Sequence, residues 1–178
     1  MTDRFRAGAG RLCLDFIRTL RYRGTPSEEE ELPDAAAWGA WIAQLGPFET
    51  PVHPASARDA QALREAIYAL LTDSLRPSVR QRLNRFAALP VPVPSLTSSG
   101  ELRWQASDPA SAMLALLARD ALDLATSPEL SRVRRCAGDR CGALFLDTSR
   151  PGTRRWCSME ICGNQAKKST YRAKAAAH

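Results

Sequence analysis

Apolar positions recur at helical spacing through most of the first 130 residues. Leu12, Phe16, Ile17 and Leu20 predict one short helix, with Cys13 as a small buried hydrophobe. Asp15 and Arg18 lie three apart on it, placed either to pair with each other or to line a ligand pocket. Trp38, Trp41, Ile42 and Leu45 then follow at i, i+3, i+4 and i+7, with Asp34 as the capping residue and Gly46-Pro47 as the stop. Two tryptophans on one face read as core rather than as a ligand cage. Ser56 and Asp59 give a capping-box-like start to a long helix whose buried face is Leu63, Ile67, Leu70, Leu71 and Leu75. Beyond Arg76-Pro77, a further helix buries Val79, Leu83 and Phe86 and turns Arg80, Arg82 and Arg85 outward. Asp108-Pro109 opens the widest stripe, from Met113 to Leu124, which predicts the central helix of this body.

Between these stripes the pattern is broken. Met1–Gly10 is polar and reads as frayed. Arg21–Pro33 reads as a solvated loop, and its glutamate run, Glu28 to Glu31, as a charge run without a partner. His53, between Val52 and Pro54, is expected at the surface. Pro90–Pro94 admits neither a helix nor a central strand, while Glu101–Gln105 alternates, so an edge hairpin is expected there. Pro128–Arg132 is the expected boundary between a helical domain, residues 1–130, and a small module, residues 131–178.

In that module the helical period gives way to short strands and turns. Val133–Cys136 and Leu144–Leu146 read as strands, Ser149–Gly152 as a turn, and Arg154–Trp156 as the return. A helix is expected from about Ser158 or Asn164 to Ala176. Four of the five cysteines fall here, as Cys136-x4-Cys141 and Cys157-x4-Cys162 with fifteen residues between the pairs. Two close pairs on a knuckle and a helix start suit four thiolates around one Zn2+ in a treble-clef arrangement. Disulfides and an iron–sulfur cluster are the competing readings, the former requiring an oxidising compartment. With cysteine at every ligand position none is left for water, so a zinc ion here is structural and not catalytic. The overall expectation is an α+β chain: a mostly helical N-terminal domain with a small β-hairpin, plus a treble-clef-like zinc module.

Charge sharpens the division. The net +6 splits into a formal −2 over residues 1–130 and +8 over residues 131–178, where eleven Lys and Arg face Asp139, Asp147 and Glu160. Four thiolates and one Zn2+ would still leave the module near +6. A basic module on a mildly acidic body points to a polyanionic partner. The candidate contacts are Lys167, Tyr171 and Lys174 on one helical face, Lys168 and Arg172 beside them, Asn164 and Gln165 at the helix start, and Arg154 and Arg155 on the returning segment. The competing reading is that these cations complement the helix dipole and meet only water. No Ser–His–Asp set, phosphate loop or HExxH motif is present, so no enzyme is predicted. No apolar run suggests a signal peptide or a membrane span, and a cytoplasmic protein is expected.

The segment Arg155-Trp156-Cys157-Ser158-Met159, then Cys162-Gly163-Asn164-Gln165-Ala166-Lys167-Lys168 and Tyr171-Arg172, preceded by Phe145-Leu146-Asp147-Thr148-Ser149, closely resembles the bacterial CGNR zinc-finger proteins. Leu14-Asp15-Phe16-Ile17-Arg18-Thr19 resembles the opening of the ABATE domain that precedes the finger in that family. Two positions depart from it: Gln165 replaces the arginine of CGNR, and Arg18 replaces the asparagine usual before the threonine. The resemblance implies a stress-induced transcription regulator. On that basis the expected partner is DNA, bound by a homodimer whose N-terminal domain dimerises or senses a small-molecule effector. Docking on an acidic protein, or RNA binding through stacking on Trp156 and Tyr171, are the alternatives.

Overall fold

In the computed structural model, residues 4–49, 51–72 and 76–175 are described, the side chains of 170, 171 and 173–175 excepted. Leu75 and the side chains of Tyr171 and Lys174 therefore lie outside the described residues. The N-terminal body contains α1 (Leu12–Ile17), β1 (Leu20–Arg21), β2 (Glu29–Glu30), α2 (Ala35–Leu45), α3 (Arg58–Leu71), α4 (Pro77–Ala87), β3 (Val93–Leu96), β4 (Leu102–Gln105) and α5 (Pro109–Thr126). A 3-10 turn, Pro128–Arg132, leads into β5 (Val133–Arg135) and β6 (Leu144–Leu146). A π-helical turn, Met159–Gly163, then runs into α6 (Asn164–Ala175).

Helix α5 is central because its stripe is the widest: Met113, Leu114, Leu117, Ala118, Ala121 and Leu124 are all buried. It packs against α1, α2, α3 and α4. Its start is set by Asp108, whose carboxylate accepts from the Ser111 amide at 3.1 Å, with Pro109 at the first helical position. Asp34 caps α2 in the same way, accepting from the Ala37 amide at 2.8 Å. The two tryptophans of α2 are core, as expected. Trp38 and Trp41 stack on each other at 5.4 Å, and Phe16 of α1 meets Trp41 edge-on at 5.3 Å.

Three expectations change. Residues 4–10 are docked and not frayed: Phe5 and Ala9 are buried, and the Phe5 backbone exchanges two hydrogen bonds with the Gln44 side chain. Helix α3 begins after Ala57 with no side-chain cap on its first turn. Ser56 Oγ accepts from the Arg58 amide, and Asp59 lies 3.6 Å from Arg85. The glutamate run is the largest correction. Glu29 and Glu30 form β2, paired antiparallel with β1, and Arg21 reaches both Glu29 and Glu31. Glu30 accepts two hydrogen bonds from Arg64, each 2.6 Å, and Arg64 is only 3% exposed. A buried guanidinium requires a counter-charge, and that requirement turns a nominal loop into a strand. Replacing Glu30 with Ala removes the bidentate partner of that cation and leaves it the carboxylate of Glu65, at 3.0 Å from its Nε. The expected loss is about 2 kcal/mol, below the range for a wholly stranded buried charge because Glu30 is 31% exposed and Glu65 stays paired with Arg64. Urea denaturation measures it.

The β3–β4 hairpin matches the expected edge pair, with Leu96 opposite Leu102 and Pro94 opposite Trp104. Val93, Leu96, Leu102 and Trp104 are exposed. No helix among the described residues is long and apolar enough to cross a membrane.

The C-terminal module is founded on the body. Leu144, Phe145 and Leu146 are all buried and join the same hydrophobic core as α1 and α5. The Leu146 amide donates to the Ala9 carbonyl at 2.7 Å. Gly10, at φ +96°, passes so close that a Cβ there would stand 2.8 Å from Leu146 Cβ. Arg11 braces the same seam, pairing with Asp120 and Asp123 of α5 and with Glu129 in the 3-10 turn.

Candidate metal centre

β5 and β6 pair antiparallel from Val133–Leu146 to Arg135–Leu144, and the knuckle between them carries Cys136 and Cys141. The Cys136 amide donates to Ala143 O at 2.8 Å and the Cys141 amide to Gly138 O at 2.9 Å, which closes the knuckle. Gly138 keeps the knuckle tight: a Cβ there would press on the Cys141 Cβ at 3.3 Å and touch the Cys136 sulfur at 3.6 Å. Cys157 enters from the returning segment and Cys162 from the π-helical turn, whose start Ser158 caps by accepting from the Ile161 amide at 3.2 Å. That turn was not foreseen. Its wider ring lets the Cys162 and Gly163 amides both reach the Ser158 carbonyl, at 3.0 Å each.

The four sulfurs lie within 4.8 Å of one another, and none is in a disulfide. Cys141–Cys157 and Cys157–Cys162 sulfurs are separated by 3.6 and 3.7 Å. Tetrahedral ligands with Zn–S bonds of about 2.3 Å require sulfurs about 3.8 Å apart. The site therefore fits one structural zinc ion. Four thiols this close resist joint ionisation without a cation. Burial first, then the neighbouring sulfurs, pushes Cys162 up to about 12. Cys157 is pushed up by its hydrogen bonds to Cys136 and Cys141, while Cys136, accepting from both, is held down. A divalent cation reverses this balance by favouring every thiolate at once.

Asp147 and Arg154 brace the loop that delivers Cys157. Asp147 is buried, accepting from the Ser149 amide at 2.9 Å, the Ser149 hydroxyl at 2.5 Å and the Arg154 amide at 2.9 Å. The Ser149 hydroxyl, then the backbone donors, hold its carboxyl below the usual range. Its folded value lies below the ordinary value of about 3.9, so its stabilisation is complete above that pH and is lost as pH falls through the folded value. Asp147→Asn should lower the melting temperature and speed zinc release to a chelator at pH 7. The difference from wild type should close as the pH falls through the carboxylate range.

Arg154 serves structure. Its guanidinium donates to Trp156 O at 2.8 Å and to Cys157 O, and lies over the Phe145 ring at 4.9 Å. Of the two neighbouring arginines Arg155 is the exposed one, beside Trp156. Asn164, Gln165, Lys167, Lys168 and Arg172 are all exposed on α6, Asn164 donating to Glu160 O at 3.0 Å. Gln165, Lys168 and Arg172 line a cleft against the N-terminal body, and Asn164 and Lys167 lie outside its lining.

Asp15 and Arg18 pair at 3.3 Å, both nearly buried. Asp15 also accepts from the amides of Gly8 and Ala9, so the pair clamps the segment on which β6 sits. Arg18 borders a cavity of only about 30 Å³, with room for little more than water.

ABATE, described as "Putative stress-induced transcription regulator", matches residues 10–128. The chain belongs to the ABATE family. The CGNR zinc finger matches residues 132–175, a span that holds all four clustered cysteines. No curated protein matches the chain. The ABATE body thus includes the Asp15–Arg18 clamp, and the CGNR finger includes the sulfur cluster together with the exposed cations of α6. Both families are of regulatory or zinc-finger type.

Proposed function

We propose that the chain is a DNA-binding transcription regulator with a division of labour between residues 1–130 and 131–178. Zinc folds the CGNR finger, and the finger presents Asn164, Gln165, Lys167, Lys168 and Arg172 of α6, with Arg155 beside them, to duplex DNA. Tyr171 and Lys174 extend the same helix by their place in the sequence. The observation that carries the reading is electrostatic: Arg155, Lys167, Lys168 and Arg172 are exposed, and among the described residues none makes a salt bridge. Cations on a rigid support without internal counter-ions suit a row of phosphates. A single finger touches few base pairs, so a homodimer reading two half-sites supplies the specificity. The ABATE body is the part that senses a signal.

Titrating labelled duplex DNA with zinc-loaded protein tests this. Binding should weaken steeply with salt, with about 0.9 in log–log slope for each phosphate neutralised. Absent or salt-insensitive binding would refute it. Single-stranded RNA serves as competitor, and should compete poorly because Trp156 is half-buried beside Arg155.

A further inference from the structure

The cleft between the finger and the body measures about 360 Å³. Its walls come from four separate stretches: Arg6 before α1, Tyr22 after β1, Asp139 and Arg140 in the knuckle, and Lys168 and Arg172 on α6. Four cations thus face one carboxylate across a concave surface. Among the described residues, the side chains of Arg6, Arg140, Lys168 and Arg172 make no hydrogen bond or salt bridge, and Arg6 acts on Glu31 only through its field. Arg6 is half-buried, and its guanidinium donors are left without a hydrogen-bond acceptor among the described residues.

Two further observations point to the same place. The small cavity bordered by Arg18 shares Arg6, Tyr22 and Cys141 with the cleft; Arg21 lines that cavity and not the cleft, bonded to Glu31 and Tyr22 but with its buried Nε lacking an acceptor. Tyr22, which lines both spaces, is the one described residue other than glycine at positive φ, +52°. Holding a tyrosine there costs energy, and Arg21 fixes it in place, its guanidinium 4.9 Å from the ring centroid and donating to the Tyr22 hydroxyl at 2.7 Å.

We propose that this cleft binds a phosphate-bearing small molecule of nucleotide size. The volume lies at the lower end of the about 300–1,000 Å³ usual for small-molecule sites. The guanidiniums of Arg6, Arg140 and Arg172 supply the paired donors that phosphate oxygens accept, and Lys168 adds a point charge. Tyr22 is the aromatic residue of the lining and gives the rest of the ligand apolar contact. The site is built jointly from the ABATE body and the CGNR finger, so its ligand touches both. If α6 contacts DNA as proposed above, Lys168 and Arg172 belong to both surfaces, and ligand and duplex exclude each other.

The test is calorimetric titration of full-length, zinc-loaded protein with AMP, ATP and pyrophosphate, using adenosine as the uncharged control and no DNA in the cell. Its outcome is therefore separate from that of the DNA titration. Saturable 1:1 binding of at least one phosphate-bearing probe is expected, with adenosine silent. Arg6→Gln should weaken that binding tenfold or more, Arg6→Lys should recover part of it, and Arg80→Gln, out on α4, should leave it unchanged. Melting curves of each variant verify that it folds. The proposal is overturned if no probe saturates, if adenosine binds as well as AMP, or if Arg80→Gln weakens binding as much as Arg6→Gln.

Discussion

Chelating the metal from the intact chain should unfold the CGNR finger and leave most of the helical signal in place. Zinc contributes on the order of 10 kcal/mol to modules of this kind, far more than the finger can obtain from its own apolar residues. Those residues are few. Leu144, Phe145 and Leu146 are buried against the body, and Trp156 and Ile161 are only partly covered. The fluorescence of Trp156 should shift on chelation. Trp38 and Trp41, enclosed with Phe16 between α1 and α2, should hold their near-ultraviolet dichroism. The body should nevertheless melt at a lower temperature, because β6 packs on α1 and its withdrawal uncovers apolar surface. Cys157→Ser should reproduce the chelated state, since Cys157 is buried and its sulfur sits close to two of the others. Zinc content measured beside the dichroism decides the matter. A chain that keeps its finger after losing the metal contradicts it.

Neutralising Arg155, Lys167 and Lys168 together as glutamines should lower the log–log salt slope of DNA binding by about 2.7, at about 0.9 for each phosphate contact removed. At about 0.1 M salt the affinity should fall on the order of a hundredfold. The three side chains are exposed and make no salt bridge among the described residues, so the melting temperature should move little. This separates a lost contact from a lost fold. An unchanged slope would mean that these cations face solvent in the complex. In that case the helix-dipole reading of their placement would stand.

Much of this fold is written in local chemistry. Asp34 and Asp108-Pro109 announce the starts of α2 and α5 because a cap and a proline act within one turn. The four cysteines are legible because tetrahedral coordination imposes a spacing that few other demands share. What escaped depends on contacts across the chain. Nothing near Glu30 says that Arg64, thirty-four positions later, is buried and needs it. Arg154 reads as one more member of a basic pair, and only the fold aims it at the carbonyls of Trp156 and Cys157. Asp147 belongs to the stretch that carries the family resemblance. Its role becomes visible only when the loop it closes is seen to deliver a metal ligand. Arg6 lay in a stretch read as frayed, and its place in the cleft follows from the docking of Phe5 and Ala9.

The stitch between the Leu146 amide and the Ala9 carbonyl, with Phe145 sunk beside it, denies the finger a swivel. Many DNA readers hang such modules on loose tethers and let them search for their groove independently. Here any tilt would drag aromatic and aliphatic surface into water. If the finger reads DNA as a homodimer, as proposed, the distance between its two α6 helices is a property of the whole scaffold. Target sites with their halves moved apart by five base pairs would then be ignored rather than accommodated.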